Sequence, residues 1–399
     1  MTDSTLLQDL QRTSDQVFSQ GELERKLKLG RPLRIKYGVD ITAPFLHIGH
    51  AVNLWMMRRL QEEGHRVLFL LGDYTTRIGD PTGKSAARKV PTDAEIEANA
   101  QAFIDQCGQI LLTDPAVFEV RRNSEWFGPM GATEFLSLLA MVTHGRLIQR
   151  DMFQARIAEQ KEIWMHELLY PVLQGYDSFM LNSDLTIVGS DQLFNEMMGR
   201  FFQERLGQPP QVVLTSKITP GTDGVQKQSK TLGNYIALAD TPRDKFGKVM
   251  RIPDTLIAQY LEVYTTLPLD HIKARVGQMQ TGGLNPRDLK LELAAAIVTR
   301  YHGEAAGAEE TAWFRETFSQ RQQPVDAPAA RVTPGPLLDV MVACQPELSR
   351  SEARRLLRAG AVGLDERRLS DEHEQVDATA EGQVLRLGKR RWFKLTFHD

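Results

Sequence analysis

The sequence contains little cysteine and no long apolar run. Its 399 residues include only Cys107 and Cys344, which stand far apart without metal-ligand spacing. That pattern fits a reducing cytosol and argues against a disulfide framework or a zinc site. No apolar stretch approaches the ~20 residues of a transmembrane helix, and residues 1–30 are too polar for a signal peptide. We therefore expect a cytoplasmic protein with no membrane segment and no metal site.

The chain also lacks a net positive charge. Its 48 lysines and arginines are balanced by 51 acids, for a formal charge of −3. Any contact with RNA must therefore come from local patches. What the chain does have is 42% hydrophobic content, over a length that accommodates two or three domains.

Short apolar runs alternate with helical patterns in the first half of the chain. Leu33–Val39 and Arg66–Gly72 have the composition of buried strands, and the helical stretch Ala51–Glu63 lies between them. This strand–helix–strand order predicts an α/β fold with a parallel, doubly wound, Rossmann-like sheet. Thr186–Val188 is a further expected strand, and Asp93–Leu112 an amphipathic helix.

Composition predicts the domain boundaries. Residues 1–220 are expected to form the Rossmann-like domain, with a helical insertion at about 115–165, and residues 221–321 an α-helical domain. Four prolines among small residues predict an extended linker over 322–336. Residues 337–399 then form a small α+β domain. Its expected elements are a capping box at Ser349–Glu352, a helix ending at Ala359, and strands at Val362–Leu364, Gln383–Leu387 and Trp392–Phe397.

Two histidines stand at the start of the helical stretch that follows the first strand. His47 and His50 are three residues apart and so share one face of a helix. In a first turn, free backbone N–H groups and the helix dipole favour an anion. Gly49 carries no side chain and would admit a flat ring such as adenine. The spacing predicts a site for ATP phosphates; two histidines capping an ordinary helix are the alternative.

A second pattern lies on one helical face. Tyr170, Gln174 and Asp177 follow at i, i+4 and i+7, between apolar flanks. A polar stripe between apolar walls favours a pocket for a small polar ligand over a solvent-facing stripe. Further along, Gly189-Ser190-Asp191-Gln192 follows a predicted strand, where ligands of open α/β sheets bind. Asp191 could accept a hydrogen bond from a ribose hydroxyl.

Two loops invite comparison with phosphate-binding loops. Lys227 and Lys230 stand in a glycine-flanked loop and could grip a polyphosphate as point charges, although a solvated charge cluster is the alternative. Gly79–Ser85 only imitates a P-loop, because it has three residues between its glycines instead of four and Pro81 lacks a backbone donor. Asp80 there could meet a ligand ammonium.

The C-terminal domain carries basic clusters although it also contains many acids. This separation of charge fits a reader of the phosphate backbone and fits equally a salt-bridged accessory domain. The candidate RNA-binding residues are Arg350, Arg354, Arg355, Arg358, Lys389 and Arg390.

Together these motifs resemble, in order and over nearly the whole chain, those of bacterial class I tyrosyl-tRNA synthetases. The paired histidines and the lysine loop mark class I synthetases in general, whereas the Tyr-x3-Gln-x2-Asp pattern marks the tyrosyl branch. Residues 349–356 also resemble a small RNA-binding domain shared with a ribosomal small-subunit protein.

The resemblance implies a two-step reaction. L-Tyrosine and Mg²⁺-bound ATP give tyrosyl-adenylate and pyrophosphate, and the tyrosyl group then passes to the terminal adenosine of tRNA(Tyr). It also implies a homodimer formed through helices of residues 131–160, and no prosthetic group. The implied catalytic residues are Thr42, His47, His50, Lys227 and Lys230. The implied tyrosine-binding residues are Lys36, Asp80, Tyr170, Gln174, Asp177 and Gln192. The implied ATP-binding residues are Asp40, Gly49, Gly189, Asp191 and Lys230.

Three sites depart from the family pattern. Lys36 stands where a second tyrosine often approaches the phenol, and Val188 stands where glycine is common. The lysine loop has Gln228 and Thr231 where methionine and serine are usual. Lys36 and Val188 leave open a paralogue that activates a related amino acid. A non-catalytic RNA-binding protein on the same scaffold is a further alternative.

Overall fold

A computed structural model describes residues 2–42, 45–80, 91–229, 231–319, 327–365, 367–388 and 391–397. The chain divides into two compact units, Met1–Glu310 and Thr311–Asp399. The first unit includes both the predicted Rossmann-like segment and most of the predicted helical segment. No helix in the described part of the chain is both long and apolar enough to cross a membrane.

A six-stranded sheet forms the centre of the first unit. Its strands are β1 (Ser14–Phe18), β2 (Arg34–Val39), β3 (Arg66–Leu71), β4 (Phe118–Arg122), β5 (Leu185–Gly189) and β6 (Val212–Ser216). They lie in the order β1-β6-β5-β2-β3-β4, and β1 is antiparallel to β6 while the other neighbours are parallel. The predicted parallel, doubly wound sheet is confirmed. Because β3 is covered on both faces, it is apolar almost throughout, as central parallel strands require.

The first unit also contains helices that precede or alternate with these strands along the chain. They are α1 (Thr2–Thr13), α2 (Gln20–Leu27), α3 (Ile48–Glu62), α4 (Asp93–Gly108), α5 (Ser124–Phe127), α6 (Ala132–Leu139), α7 (His144–Leu147), α8 (Asp151–Ala158), α9 (Met165–Met180) and α10 (Leu193–Arg205). Short 3₁₀ turns lie at Thr75–Arg77 and Ser190–Gln192. The expected helix after β2 begins three residues earlier than predicted, because His47 acts as its N-cap.

The pairing of α9 with α10 positions much of the site. Val172 of α9 packs with Met198 and Phe202 of α10 in one buried cluster. A side chain at Gly175 would bring its Cβ within 2.8 Å of Met198 Cβ, so the glycine permits this close crossing. The polar side chains on the facing surfaces of the two helices are thereby brought within hydrogen-bonding distance.

Helices follow β6, as the lack of strand alternation predicts. They are α11 (Pro242–Met250), α12 (Ile257–Tyr264), α13 (Leu269–Gln280), α14 (Pro286–His302) and α15 (Glu304–Phe314), with a 3₁₀ turn at Asp254–Leu256 and a π-helical turn at Arg315–Ser319. Proline opens α11 and α14 at a position where its missing N–H has no helical partner to lose.

The second unit is a small α+β fold. Its elements are β7 (Ala329–Val332), β8 (Gly335–Pro336), α16 (Leu337–Cys344), α17 (Arg350–Arg358), β9 (Val362–Leu364), β10 (Arg367–Leu369), β11 (Gln375–Val376), a 3₁₀ turn (Ala378–Ala380), β12 (Val384–Leu387) and β13 (Arg391–Phe397). The larger sheet has the order β10-β9-β12-β13-β7. Met341, Leu357 and Leu385 contribute to its core.

The structure differs from the predicted linker over 322–336. Ala329–Val332 pairs in parallel with β13, and Val332 is buried in the core of the second unit. Gly335–Pro336 pairs with β11. Pro328 and Pro334 flank β7, and Pro336 stands at the short edge strand β8. A sheet tolerates proline at such positions, so composition alone could not separate strand from connector. Residues 322–326 of the predicted linker lie outside the described residues.

Candidate active site

A cavity of about 400 Å³ opens at the carboxyl ends of β2, β3, β5 and β6, where ligands of doubly wound sheets bind. Every described residue predicted for catalysis or substrate binding lines it. These residues are Lys36, Asp40, Thr42, His47, Gly49, His50, Asp80, Tyr170, Gln174, Asp177, Gly189, Asp191, Gln192 and Lys227. Lys230 lies outside the described residues.

The two histidines cap α3 together. His47 Nδ1 accepts a hydrogen bond from Gly49 N (3.2 Å), and His50 Nδ1 accepts one from His47 N (3.3 Å). Their rings stack with centroids 3.7 Å apart. Because both Nδ1 atoms are acceptors, each neutral ring carries its proton on Nε2. Capping and phosphate binding are therefore compatible: one nitrogen holds the helix start, and the other is left as a donor.

Burial keeps both rings neutral. It lowers the pKa of His47 to about 2 and that of His50 to about 4, and the nearby Lys227 charge acts in the same direction. At neutral pH the pair therefore offers N–H donors without positive charge.

At two glycines of the site, an added side chain would collide with a neighbouring side chain. A Cβ at Gly49 would lie 2.9 Å from the His47 ring, and a Cβ at Gly189 would lie 2.6 Å from Asp191 Oδ1. The histidine cap therefore already requires glycine at position 49, and the approach of a ligand ring would be a second reason for it.

The lysine loop contacts two other parts of the first unit. Lys227 Nζ lies 3.0 Å from Asp191 Oδ2, so a residue predicted to be catalytic is paired with one predicted to bind ATP. Gln228, at a departure from the family pattern, is buried and donates to the hydroxyl of Tyr264 (2.8 Å). Val188, at another departure, lines the cavity.

The polar face of α9 points into the cavity as predicted from its spacing. The Tyr170 hydroxyl donates to Asp40 Oδ2 (2.8 Å), whose other oxygen accepts from Thr75 Oγ1 (3.0 Å). Burial and the nearby Asp40 charge raise the pKa of Tyr170 well above its ordinary value, so its hydroxyl stays protonated. Asp40, assigned to ATP by resemblance, is thus tied to the amino-acid side of the cavity.

Asp177 is a buried carboxyl group held by two donors. Trp126 Nε1 lies 3.0 Å from Oδ1, and Asn123 Nδ2 lies 3.5 Å from Oδ2. Burial raises the pKa of Asp177 to about 8, although the Lys36 charge and these two hydrogen bonds act in the opposite direction. A carboxyl group so far from water is suited to receive one specific polar group of a ligand.

A chain of amides connects two carboxylates across the site. Gln192 Nε2 donates to Asp80 Oδ2 (2.9 Å), and Asn195 Nδ2 donates to the side-chain oxygens of Gln192 (3.0 Å) and Gln174 (2.7 Å). Gln174 Nε2 in turn donates to Glu196 Oε1 (2.8 Å). The second oxygen of this carboxylate lies 2.8 Å from the Nζ of Lys36, where the family often has tyrosine.

With this geometry in place, comparison with known proteins identifies the family. Residues 28–319 match the family described as tRNA synthetases class I (W and Y). The tyrosine--tRNA ligase of Moorella thermoacetica is 44% identical, over 94% of this chain and 91% of the relative. That of Carboxydothermus hydrogenoformans is 40% identical, over 98% and 97%. The chain belongs to this family of class I synthetases.

Solved structures agree on the fold of the synthetase. Tyrosyl-tRNA synthetase of Archaeoglobus fulgidus, complexed with L-tyrosine, has a TM-score of 0.60 at 21% identity, covering 77% of this chain and 99% of its own. A truncated mitochondrial tyrosyl-tRNA synthetase of Aspergillus nidulans has a TM-score of 0.62 at 22% identity, covering 78% and 94%.

The candidate RNA-binding arginines of this synthetase lie on or beside α17. Arg350 lies 2.5 Å from Asp339, Arg354 lies 2.5 Å from Glu372, and Arg355 lies 3.8 Å from Glu352. Arg358 is exposed. Lys389 and Arg390 are outside the described residues. Both expectations for this unit, a phosphate-backbone reader and a salt-bridged accessory domain, remain compatible with these pairs.

Sequence reasoning missed several residues of the site. Glu196 and Asn195 lie on α10, outside any recognised motif, while Asn123 and Trp126 lie near the start of α5. The available signal was the pair Asn195-Glu196 in a helix with buried apolar neighbours, since buried polar residues require partners.

Proposed function

We propose that this chain activates L-tyrosine with Mg²⁺-bound ATP to tyrosyl-adenylate and pyrophosphate, and then transfers the tyrosyl group to tRNA(Tyr). One observation carries the proposal: the stacked histidine pair and the Tyr170–Gln174–Asp177 face line a single cavity. The relatives named tyrosine--tRNA ligase, at 44% and 40% identity over nearly the whole chain, support it.

Activation is a displacement at the α-phosphorus of ATP. A carboxylate oxygen of tyrosine forms the new P–O bond, and the bond to the β-phosphate breaks, releasing pyrophosphate with its Mg²⁺. We assign the Nε2–H groups of His47 and His50 to the charge that develops on the phosphate, with Thr42 near the γ-phosphate. Lys227 and Lys230 would hold the pyrophosphate. This is catalysis by positioning and charge stabilisation.

Two groups of residues would recognise the amino acid, one at its ammonium and the other at its phenol. We assign its ammonium to Asp80, to the oxygen of Gln174 and to the Tyr170 hydroxyl, beside Gln192. Its phenol hydroxyl would donate to Asp177, with Lys36 nearby. Asp40, Gly49, Gly189 and Asp191 would contact ATP, and Val188 would limit the space beside its ribose.

Transfer uses a ribose hydroxyl of the terminal adenosine. Its oxygen attacks the tyrosyl carbonyl carbon, and AMP leaves. We assign Arg350, Arg354, Arg355, Arg358, Lys389 and Arg390 to the tRNA backbone, because Lys and Arg contacts to phosphate supply most sequence-independent affinity. A cytoplasmic location, where tRNA is charged, is part of this proposal.

Tyrosine-dependent ATP–pyrophosphate exchange tests the proposal, followed by charging of tRNA(Tyr). We expect exchange with tyrosine and weak exchange with phenylalanine. Exchange with an analogue but none with tyrosine would indicate a paralogue for a related amino acid. Absence of exchange with any amino acid, together with retained tRNA binding, would indicate a non-catalytic RNA-binding protein.

We also propose a homodimer formed through residues 131–160 and the adjoining Trp164 and Met165. Support comes from apolar side chains exposed in this region, with Leu136 at 64%, Trp164 at 59% and Met165 at 70% exposure. Apolar surface that is exposed in the single chain would be covered by the partner in such a dimer. Analytical ultracentrifugation should give twice the chain mass, and Leu136→Glu should shift the equilibrium towards monomer; a wild-type monomer at micromolar concentration would overturn the proposal.

A further inference from the structure

Glu196 is a buried carboxylate whose hydrogen bonds reach both ends of the proposed amino-acid site. Its residue exposure is 1%. Oε1 accepts from Gln174 Nε2 (2.8 Å), while Oε2 accepts from Gln211 Nε2 (2.9 Å) and lies 2.8 Å from Lys36 Nζ. Gln174 is assigned to the substrate ammonium, whereas Lys36 lies on the side of the cavity assigned to the phenol. One side chain therefore connects the two.

The acceptor-only character of Glu196 fixes the amide of Gln174. An ionised carboxylate has no hydrogen to donate, so Gln174 must turn its nitrogen towards Glu196 and its oxygen away. That oxygen accepts from Asn195 Nδ2 (2.7 Å) and has a second lone pair for the cavity. A substrate ammonium requires an oxygen at this position, and the opposite amide orientation would present it with a like donor.

The same carboxylate balances the Lys36 charge. Lys36 is 1% exposed, and its Nζ donates to Ser178 Oγ (2.7 Å) in addition to pairing with Glu196. A buried ammonium that loses its counter-ion is strongly destabilised and would turn towards another carboxylate. The Lys36 charge already acts to lower the pKa of Asp177. A Lys36–Asp177 pair would occupy the group assigned to the phenol hydroxyl.

We propose that Glu196 is a positioning residue for tyrosine selection, which orients Gln174 towards the substrate ammonium and holds Lys36 away from Asp177. The inference rests on the proposed function, because it needs tyrosine as the ligand of this cavity. It extends that function to a residue outside the recognised motifs, and it accounts for the presence of lysine where a tyrosine is common.

Two variants separate positioning from a merely structural role. Glu196→Gln keeps the shape but supplies one acceptor where two are needed, so it should raise KM for tyrosine about tenfold, the scale of one hydrogen bond to a charged group. The ratio of kcat/KM for tyrosine over phenylalanine should also fall, by at least about threefold. The double variant Lys36→Met/Glu196→Leu removes the buried charge pair entirely, so that neither charge is left unpaired. It should still show the raised KM, because Gln174 has lost its orienting partner.

Glu167→Gln is the matched control. Glu167 is a buried carboxylate on α9 that pairs with Arg156 at 2.8 Å and does not line the cavity. It should lower the unfolding temperature yet change KM for tyrosine by less than about twofold, since distant sites act independently.

The measurements are ATP–pyrophosphate exchange with tyrosine, phenylalanine and varied ATP, together with thermal unfolding of the full-length enzyme. A raised KM for tyrosine with KM for ATP unchanged, in both Glu196 variants, supports the proposal. A lowered unfolding temperature with unchanged KM for tyrosine overturns it. Lack of tyrosine-dependent exchange in the unaltered enzyme overturns the proposed function, and this inference with it.

Discussion

The cavity joins an end lined by α9 and α10 to an end lined by the start of α3 and the lysine loop. At the first end, the ion pair of Lys36 and Glu196 has side-chain exposures of 2% each. At the second end, the ion pair of Lys227 and Asp191 has side-chain exposures of 57% and 34%. One pair is sealed from water, and the other is accessible to it.

This difference in exposure separates fixed groups from exchangeable ones. Removing one partner of a buried pair costs about 3–5 kcal/mol, whereas an exposed pair contributes about 0–1 kcal/mol. Lys227 can therefore leave Asp191 for a phosphate at little cost, while Lys36 and Glu196 stay in place. The end assigned to the amino acid is suited to discrimination, and the end assigned to ATP to movement.

The largest effect should come from removing a donor at the ATP end. His50→Ala should lower kcat of tyrosine-dependent exchange by about 100-fold, the scale of one lost donor to developing charge, while KM for tyrosine stays unchanged. Steady-state exchange kinetics measure both constants. A large rise in KM for tyrosine would instead show that His50 contributes to tyrosine binding, so that the two ends of the cavity would not have separate roles.

His65→Ala is the control for this experiment. His65 is a buried histidine outside the cavity, and its Nδ1 accepts from Leu33 N (3.2 Å). Its loss should reduce stability by about 1–3 kcal/mol, because a buried backbone donor is left unpaired, but kcat should be retained. Thermal unfolding of both variants separates misfolding from lost chemistry.

A smaller effect is expected at the amino-acid end. Asp177→Asn replaces one acceptor oxygen with a donor, so the selectivity for tyrosine over phenylalanine should fall about 10- to 100-fold. The KM for ATP should not change. Competition between the two amino acids in the exchange reaction measures the ratio, and an unaltered ratio would remove Asp177 from the phenol assignment.

The sequence was informative where function is encoded by local spacing. The two histidines are three positions apart, and the α9 face extends over seven positions from Tyr170 to Asp177, so helix geometry alone places these side chains together. The same reasoning predicted β2, β3 and β5, whose apolar runs are short and continuous. Edge strands β1 and β4 were missed because they are rich in polar residues.

Groups that meet across long sequence separations could not be foreseen. Lys36 lies on β2 and Glu196 on α10, and they form a buried ion pair. Lysine and glutamate are ordinarily surface residues, so neither residue alone indicates this pair. Likewise, β7 becomes a strand only by pairing with β13, more than sixty residues along the chain. Such contacts depend on the packed fold rather than on local pattern.

The pH dependence of stability should have opposite signs at the two ends. Asp177 has its pKa raised from 3.8 to about 8, so its contribution is fully present below pH 3.8 and is lost as the pH rises to 8. His50 has its pKa lowered from 6.5 to about 4, so its contribution is present above pH 6.5 and is lost as the pH falls to 4. Each slope is limited to about 1.4 kcal/mol per pH unit, the value for one proton.

Urea unfolding between pH 4 and 8 measures these slopes. The free energy of unfolding of wild type relative to Asp177→Asn should fall as the pH rises, and that relative to His50→Ala should rise up to pH 6.5. Slopes of the same sign would contradict this prediction, because the pKa shifts at the two ends would then change stability with pH in the same direction.

The smallest effect is expected from substitutions in the second unit. They test whether its exposed arginines can leave their present partners for a phosphate, as Lys227 can at the ATP end. Arg355 and Arg358 are exposed, and among the described residues Arg355 forms a long pair with Glu352 at 3.8 Å. If each contacts one tRNA phosphate, Arg355→Gln and Arg358→Gln should each reduce the slope of log K against log salt by about 0.7–0.9. Filter binding of tRNA(Tyr) at several salt concentrations measures this slope. Tyrosine-dependent exchange, which needs no tRNA, should be unaffected in both variants, whereas an unchanged salt slope would favour a salt-bridged accessory domain over a phosphate reader.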